Sequence, residues 1–457
     1  MTVNTTVRAQ TDAPAVTEQL AKFVTHHPSR GWNDEVEAQA VRTFLNWLGC
    51  AVGASHHATV DAALGAVNVL QPSGQAGILG RNDRVDIASA ALINGISSHT
   101  FDFDDTHLKT IIHPAGPVAS ALLALGEHTH ANGRDFLDAL VLGIDVACRV
   151  GNAMYPDHYD RGWHITGTTG MLGGAAACAR MLKLDAHKTQ MAIGIAASQP
   201  VGLREQFGTM TKPLHPGAAA RAGLMSALMA QHGYTASLRA LEAPRGLMQT
   251  ISDKCDWNEI SGELGERFEI SFNSYKPFAC GIVIHPSIDA CVTLVQQHKI
   301  DPLAIERIEL RVHPLVLELT GKKTPSDGLQ AKFSVFHSCA AGILFGQAGE
   351  HQYEDEIVQR VDVIALRDRI NATVDTRIAE ASVDATIHLK NGAHHHLFLK
   401  HAIGSLQRPM TNTLLEQKFH NLVDSVLGAV RANGLIAQAW DFANASDVGE
   451  IARATQG

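Results

Sequence analysis

The chain has 457 residues and a formal net charge of −9, with 46 acidic against 37 basic side chains. No Lys/Arg stripe is present, which argues against a nucleic-acid partner, and no run of eighteen or more uncharged apolar residues suggests a membrane span. A chain of this length exceeds one simple core and predicts two domains.

The first residues, "MTVNTTVRAQTDAPAVTEQL", lack a basic segment followed by an apolar run. They read as no secretory signal, with the first dozen residues as a mobile tail. Seven cysteines (Cys50, Cys148, Cys178, Cys255, Cys280, Cys291 and Cys339) are dispersed without a Cys-x-x-Cys pair. That pattern fits reduced thiols in a cytoplasm and offers no iron–sulfur or structural zinc spacing.

Residues 14–272 read as helix after helix. "DEVEAQAVRTFLNWLGCAVGA" opens on acidic residues and repeats apolar side chains at helical spacing. "DIASAALINGISSHTFDFDD", "PVASALLALGEHTHANG", "GRDFLDALVLGIDVACRVGNAM", "GMLGGAAACARMLKLD", "KTQMAIGIAAS" and "PGAAARAGLMSALMAQHG" are rich in small residues. Such helices can approach closely, because no bulky side chain holds their axes apart. The character changes near residue 272. Ile308, Leu310 and Val312 alternate with polar residues, with Ile305 out of phase by one. Ile387 and Leu389 alternate likewise, and Asn391-Gly392 predicts a two-residue hairpin turn. Helical stretches lie between them ("HPSIDACVTLVQQH", "AKFSVFHSCAAGILFG"). The expected fold is therefore mainly α. A large all-helical domain is built from 14–272 and 404–457, and a smaller α+β lid from 273–403, with hinges near 272 and 404.

Four stretches concentrate polar chemistry. "FDFDDTHLKTIIHPAGP" holds Asp102, Thr106 and His113. Asp104 and Asp105 in the same stretch read as solvated or helix-capping residues. A metal site from Asp102, Asp105 and His107 or His113 is conceivable. The Asp-x-Asp-x-Thr spacing also matches haloacid-dehalogenase-type phosphatases, but that pattern needs a preceding strand, and a helix precedes it here. "DRGWHITGTTGMLGGAAA" places His164 at the opening of an Ala-rich helix, where free N–H groups suit carboxylates. "REQFGTMTKPLHPGAAARAG" holds Lys212 in a loop before another such helix, with Arg204 and His215 near in sequence. "NSYKPFACGIVIHP" puts Lys276 at the domain boundary and His285 at a helix start. Dinucleotide-binding and P-loop glycine patterns are missing, as is a nucleophile elbow. The inventory of histidines, lysines, an aspartate and threonines suits proton transfer on a carboxylate-bearing substrate.

Taken in this order, with "QAKFSVFHSCA" and "GSLQRPMT…LEQKF", these stretches resemble the MmgE/PrpD family. That family includes 2-methylcitrate dehydratase, cis-aconitate decarboxylase and iminodisuccinate epimerase, and the likeness spans nearly the whole chain. The resemblance implies a helical domain made by both chain ends, an α+β lid, and a cofactor-free enzyme that is usually a homodimer; the absence of ligand spacings and nucleotide loops predicts no metal or organic cofactor. It places Asp102, Thr106, His113, His164, Lys212 and Lys276 in one pocket. Two departures stand out. Decarboxylase-like members carry a histidine shortly after the lid lysine, where Cys280-Gly281 stands here, and a tyrosine where His337 stands.

The expected function is a cytoplasmic, cofactor-free lyase acting on a small polycarboxylate, in the first place a 2-methylcitrate dehydratase-like hydro-lyase. Decarboxylation and epimerisation are alternatives on the same scaffold. His113 and His164 are the acid–base pair, and Lys212 is the fixed cation. Asp102 orients a histidine. Thr106, Lys276, Arg204 and His337 are candidate substrate contacts. A metal-dependent hydrolase and a non-catalytic binding protein are the rival classes.

Overall fold

The structure, a computed structural model, describes residues 13–456. The tail expected over the first dozen residues lies outside the described residues.

Helix starts follow their caps. Asn33 accepts from the Val36 amide at the head of α2 (Asp34–Gly53), after a first helix, α1 (Val16–His26). Asp86 does the same for α3 (Ile87–Thr100), Asn132 for α5 (Gly133–Met154), which follows α4 (Ala115–Thr129), and Asp185 for α7 (Ala186–Ala196). Each supplies an acceptor to an amide that has no helical partner. Two further helices, α6 (Ile165–Met181) and α8 (Thr211–Gln231), complete the central bundle. In it α8 packs on α3, α4, α6 and α7, and α6 on α5.

The small residues act as the sequence predicts. A Cβ added at Gly217 of α8 would meet the Leu92 carbonyl oxygen of α3 at 2.4 Å, and one at Gly95 would meet the Gly217 Cα at 2.6 Å. The two helices therefore touch backbone to backbone. Their crossing lies about one and a half turns from the end of α3 and from the start of α8. That brings residue 212 beside residue 102.

The segment after α3 leaves the helix and forms strand β1 (Asp105–His107), which pairs antiparallel with β2 (Asn273–Tyr275), Thr106 opposite Ser274. This pairing sets Lys276 next to the 101–104 loop. Beyond it lies a four-stranded sheet of β3 (Ile305–Val312), β4 (Ile370–Val374), β5 (Val383–Leu389) and β6 (His394–Leu399), in the order β4-β3-β5-β6. Only β3 and β4 run parallel. Helix α9 (His285–His298) packs on β5 and β6, and α10 (Val335–Phe345) on α9 and β4.

The out-of-phase Ile305 has a cause. The register of β3 on β5 shifts between Ile305 and Arg307, and this bulge turns both Ile305 and Ile308 inward. The hairpin differs from expectation. Leu389 and Ala393 close it with a 2.8 Å hydrogen bond from the Leu389 amide, so three residues form the turn, not two. Gly392 takes φ +85, the left-handed position of the three-residue hairpin.

The chain then returns to the bundle. Helices α11 (Asn412–Leu427) and α12 (Ala429–Trp440) pack on α2, and α13 (Gly449–Ala454) on α4. The fold is mainly α with a smaller α+β part. Among the described residues no helix is long and apolar enough to cross a membrane.

Because the Gly217 contact is made by backbone atoms, Gly217→Val has no flexible side chain to displace. It is expected to cost about 1–3 kcal/mol or more in chemical denaturation. The same change at Gly65, which has nothing within 4 Å of an added Cβ, is the control that isolates the crossing.

Candidate active site

Helix α3 ends at Thr100, and two residues later Asp102 takes φ +51, a left-handed turn tolerated by aspartate. The turn sends its carboxylate into the protein, where Lys276 Nζ lies 2.7 Å and Lys212 Nζ 2.8 Å from the same oxygen, Oδ1. Lys276 also donates to the Asp102 carbonyl at 2.9 Å. All three side chains are buried. Burial pushes the Asp102 carboxyl up, but Lys212 and Lys276 outweigh it and hold the group well below the usual carboxylate range. For Lys276 burial is likewise overcome, here by Asp102 and Asp104, and the ammonium is stabilised. For Lys212 burial wins over Asp102, and its pKa falls below the usual lysine value. The Lys212 ammonium also faces the rings of Phe207 and Phe333, 5.1 and 5.2 Å from their centroids. Lys212 is not in a loop as the sequence suggested. It sits in the first turn of α8, where Pro213 needs no helical hydrogen bond.

Opposite the lysines stand the imidazoles. His113 Nδ1 lies 2.8 Å from the Asp105 carbonyl, so Nδ1 carries the proton and Nε2 keeps its lone pair. Its backbone amide donates to Thr166 Oγ1 at 3.0 Å, which fixes the ring's base on α6. Burial pushes His113 down to about 3, against the pull of Asp104. His164 stands at the N-cap position of α6, with its Nδ1 2.8 Å from His215 Nδ1. Burial and then Lys212 hold it well below the usual histidine value. Both are therefore neutral bases near neutral pH. The pocket is closed by Ile111, Tyr159 and Phe207, and by Gly281, Ile282, Val283, Leu319, Thr320 and Phe333 from the second part of the chain.

Of the residues singled out in the sequence, Asp102, His113, His164, Lys212 and Lys276 line this one pocket. Asp102 grips the lysines; its bonded partners are ammonium groups, not an imidazole. Thr106 is buried behind His113, 3.3 Å from its Nδ1, and lines an adjoining apolar cavity. Arg204 and His337 are not brought in. Arg204 stacks on the outer face of Tyr159 at 4.2 Å and pairs with Glu318, and His337 is tied to the Gln352 carbonyl at 2.9 Å. Asp104 and Asp105 are fully buried, not solvated. Asp105 Oδ2 accepts from Ala115 N at 3.2 Å, at the start of α4, and from Asn273 Nδ2 at 2.7 Å.

One member of the pocket's surroundings, His99, went unseen in the sequence. His99 holds Asp104 Oδ2 at 2.7 Å through Nδ1, and its ring centroid lies 4.7 Å from that of His113. Its signal was its place five residues before Asp104, at the end of a helix whose last turn needed no histidine. The donor sets His99, His113 and His164, or His99, Asp102 and Asp104, are near enough to share a metal ion. The surrounding charge does not suit one. Asp102 is already neutralised by two ammonium groups, which would repel a dication a few ångströms away. His107, considered as a ligand, is turned to Thr110 and Glu269, each at 2.9 Å.

Fold and site together define a mainly helical protein with a buried lysine–histidine pocket closed by a small α+β unit. The chain belongs to the MmgE/PrpD family: the family's N-terminal domain matches residues 18–260 and its C-terminal domain residues 278–442. A cis-aconitate decarboxylase-like protein of Aspergillus oryzae, oryM, is 26% identical over 474 residues, covering 98% of each chain. Human cis-aconitate decarboxylase is 26% identical over 450 residues, 93% of this chain and 89% of that one. The 2-methylcitrate dehydratase of Escherichia coli K12 is 24% identical over 360 residues, 72% of each.

The buried imidazoles make stability depend on pH. Burial pushes His113 and His285 down to about 3, and His158, His215 and His337 down to about 4. The unfolded chain protonates these groups near 6.5. Below that pH the unfolded state binds more protons, so stability falls as pH drops. Asp105 and Glu350, pushed up to about 7, and Asp145, up to about 6, act the other way but are fewer. The thermal midpoint is expected to be lower at about pH 5 than at about pH 7.5. A midpoint that rises on acidification would contradict the neutral-imidazole assignment.

Proposed function

We propose that the chain is a cofactor-free lyase that forms and holds a carbanion next to a carboxylate of a small polycarboxylate. The observation that carries this reading is the pairing of two ammonium groups on Asp102 with neutral imidazoles across one closed pocket. Helix starts add to it. His113 precedes α4 by one residue from its cap, His164 stands at the N-cap position of α6, and Lys212 is the second residue of α8. Three helices thus begin beside the pocket, and their positive ends suit a multiply charged anion.

The leading assignment is a 2-methylcitrate dehydratase-like hydro-lyase. His113 Nε2 takes the proton from the carbon beside a substrate carboxylate. The electron pair moves into that carboxylate as an enediolate, stabilised by Lys212 and Lys276. The carbon–oxygen bond at the neighbouring carbon then breaks. With His215 Nδ1–H donating to His164 Nδ1, His164 carries its proton on Nε2 and holds the leaving hydroxyl through that N–H, while the His113 imidazolium formed in the first step returns its proton so that water departs. Two departures from the decarboxylase-like pattern weigh against a decarboxylase without naming a replacement: Cys280-Gly281 stands in place of a histidine and His337 in place of a tyrosine. A decarboxylase is the second reading, supported by the relatives named cis-aconitate decarboxylase that align over most of their length. There a carbanion forms from the electron pair of the broken carbon–carboxylate bond as carbon dioxide leaves, and it is quenched by a proton.

Residues 273–403 act in this reading as a lid. Its two ends lie side by side: Ser274 Oγ donates to the Gly404 carbonyl, and a Cβ at Gly404 would meet Pro277 Cδ at 2.6 Å. Closure excludes water and strengthens every charge interaction inside. The homodimer implied by the family likeness belongs to the same proposal and is read by sedimentation.

Incubating the protein with 2-methylcitrate, citrate and cis-aconitate decides between the readings. Alkene absorbance without carbon dioxide supports dehydration, and carbon dioxide release supports decarboxylation. Lys212→Ala should fold and lose about 10²–10³ in kcat on the productive substrate. The exposed Lys322→Ala should not. A folded Lys212→Ala with normal kcat would remove the assigned pocket from the chemistry. Activity is also expected to survive exhaustive dialysis against a chelator.

A further inference from the structure

Three ammonium groups bind three consecutive carbonyl oxygens. Lys332 Nζ donates to the Phe101 carbonyl at 2.8 Å, Lys276 Nζ to that of Asp102 at 2.9 Å, and Lys418 Nζ to that of Phe103 at 2.5 Å. The lysines come from three distant places: the segment before α10, the end of β2, and α11. Lys276 lines the pocket and Lys332 and Lys418 do not. Resting on the reading above, we propose that Lys332 and Lys418 are positioning residues, which fix the backbone of residues 101–103 so that the Asp102 carboxylate meets Lys212 and Lys276.

The loop needs such a device. Its carbonyls follow directly on the C-terminal end of α3, where acceptors lack helical partners and the dipole favours cations. Its central residue is a non-glycine in the left-handed region, a conformation that costs about 1–2 kcal/mol and reverts unless its neighbours are held. Lys332 is itself anchored, to the Ala279 carbonyl at 3.0 Å and to Glu350. Lys418 is anchored to Asn46 Oδ1 at 2.7 Å and lies 4.0 Å from the centre of the Phe103 ring. Among the described residues no carboxylate lies within ion-pairing distance of Lys418, so its bonded partners are all neutral. A methionine of similar length would fill that space without burying a charge. What the lysine adds is a fixed donor on the Phe103 carbonyl. Since Asp102 sets the spacing of the two cations that face the substrate, a small shift of this loop alters catalysis more than binding; about 1 Å can cost on the order of 10² in rate.

Lys418→Met and Lys332→Met test this, with Lys418→Gln as the variant that keeps a donor. Amide hydrogen exchange across residues 101–107 should accelerate about tenfold or more in both methionine variants, the loss of one charge-assisted hydrogen bond. Exchange in β3 should be unchanged. On the productive substrate kcat should fall on the order of 10²-fold with KM little altered, and Lys418→Gln should recover part of both effects. Wild-type protein that turns over none of the polycarboxylates would sink the proposed reaction, while the exchange data still decide the clamp. Unchanged exchange at 101–107 in a folded variant overturns it. If Lys418→Met does not fold, Lys332→Met, whose side chain borders an open cleft, carries the same decision.

Discussion

Two ammonium groups share one carboxylate oxygen, and the arrangement of the chain around the pocket follows from that contact. Lys212 and Lys276 would repel each other strongly in a dry interior. Asp102 lies between them and makes their proximity tolerable, while leaving a net positive charge for an incoming anion. A buried charge cluster of this kind is costly unless its geometry is fixed on all sides. The fixing comes from large features. The glycine crossing of α3 and α8 brings in Lys212, the β1–β2 pair brings in Lys276, and the left-handed turn aims Asp102.

Much of this architecture was written in local signals. Capping by Asn33, Asp86, Asn132 and Asp185 announces helix starts, because each cap is a short-range interaction between neighbours. The alternation of Ile308, Leu310 and Val312 announces a half-buried strand, and the misplaced Ile305 turned out to mark a bulge. The pocket was less legible. Asp104 and Asp105 carry the composition of a solvated loop, and only the packing of α4 and β2 around them reveals their burial. Arg204 lies near Lys212 in sequence, yet the turn before α8 carries it to the far side of Tyr159. Lys418 had a readable signal that was missed. It stands among Leu415, Phe419 and Leu422 on the buried stripe of α11, a position where a lysine is out of keeping unless an acceptor awaits it.

Acid–base groups in this pocket are set by surroundings more than by residue type. His113, His164 and His215 are all held below the ordinary histidine range, chiefly by burial. Asp105, the residue next to the anionic Asp104, is pushed up to about 7 by burial and by Asp104. Two adjacent aspartates are thus shifted in opposite directions from the value both would show in water.

Residues 412–455 tie the helical bundle to the loop of the pocket. Thr455 Oγ1 receives the Gly80 amide, α13 packs on α4, and Lys418 reaches the loop that bears Asp102. A chain lacking residues 412–455 cannot make these contacts, however completely the central bundle has formed. The loop that bears Asp102 is then unsupported on the side of Lys418, so a chain truncated before α11 is expected to be poorly folded around the pocket.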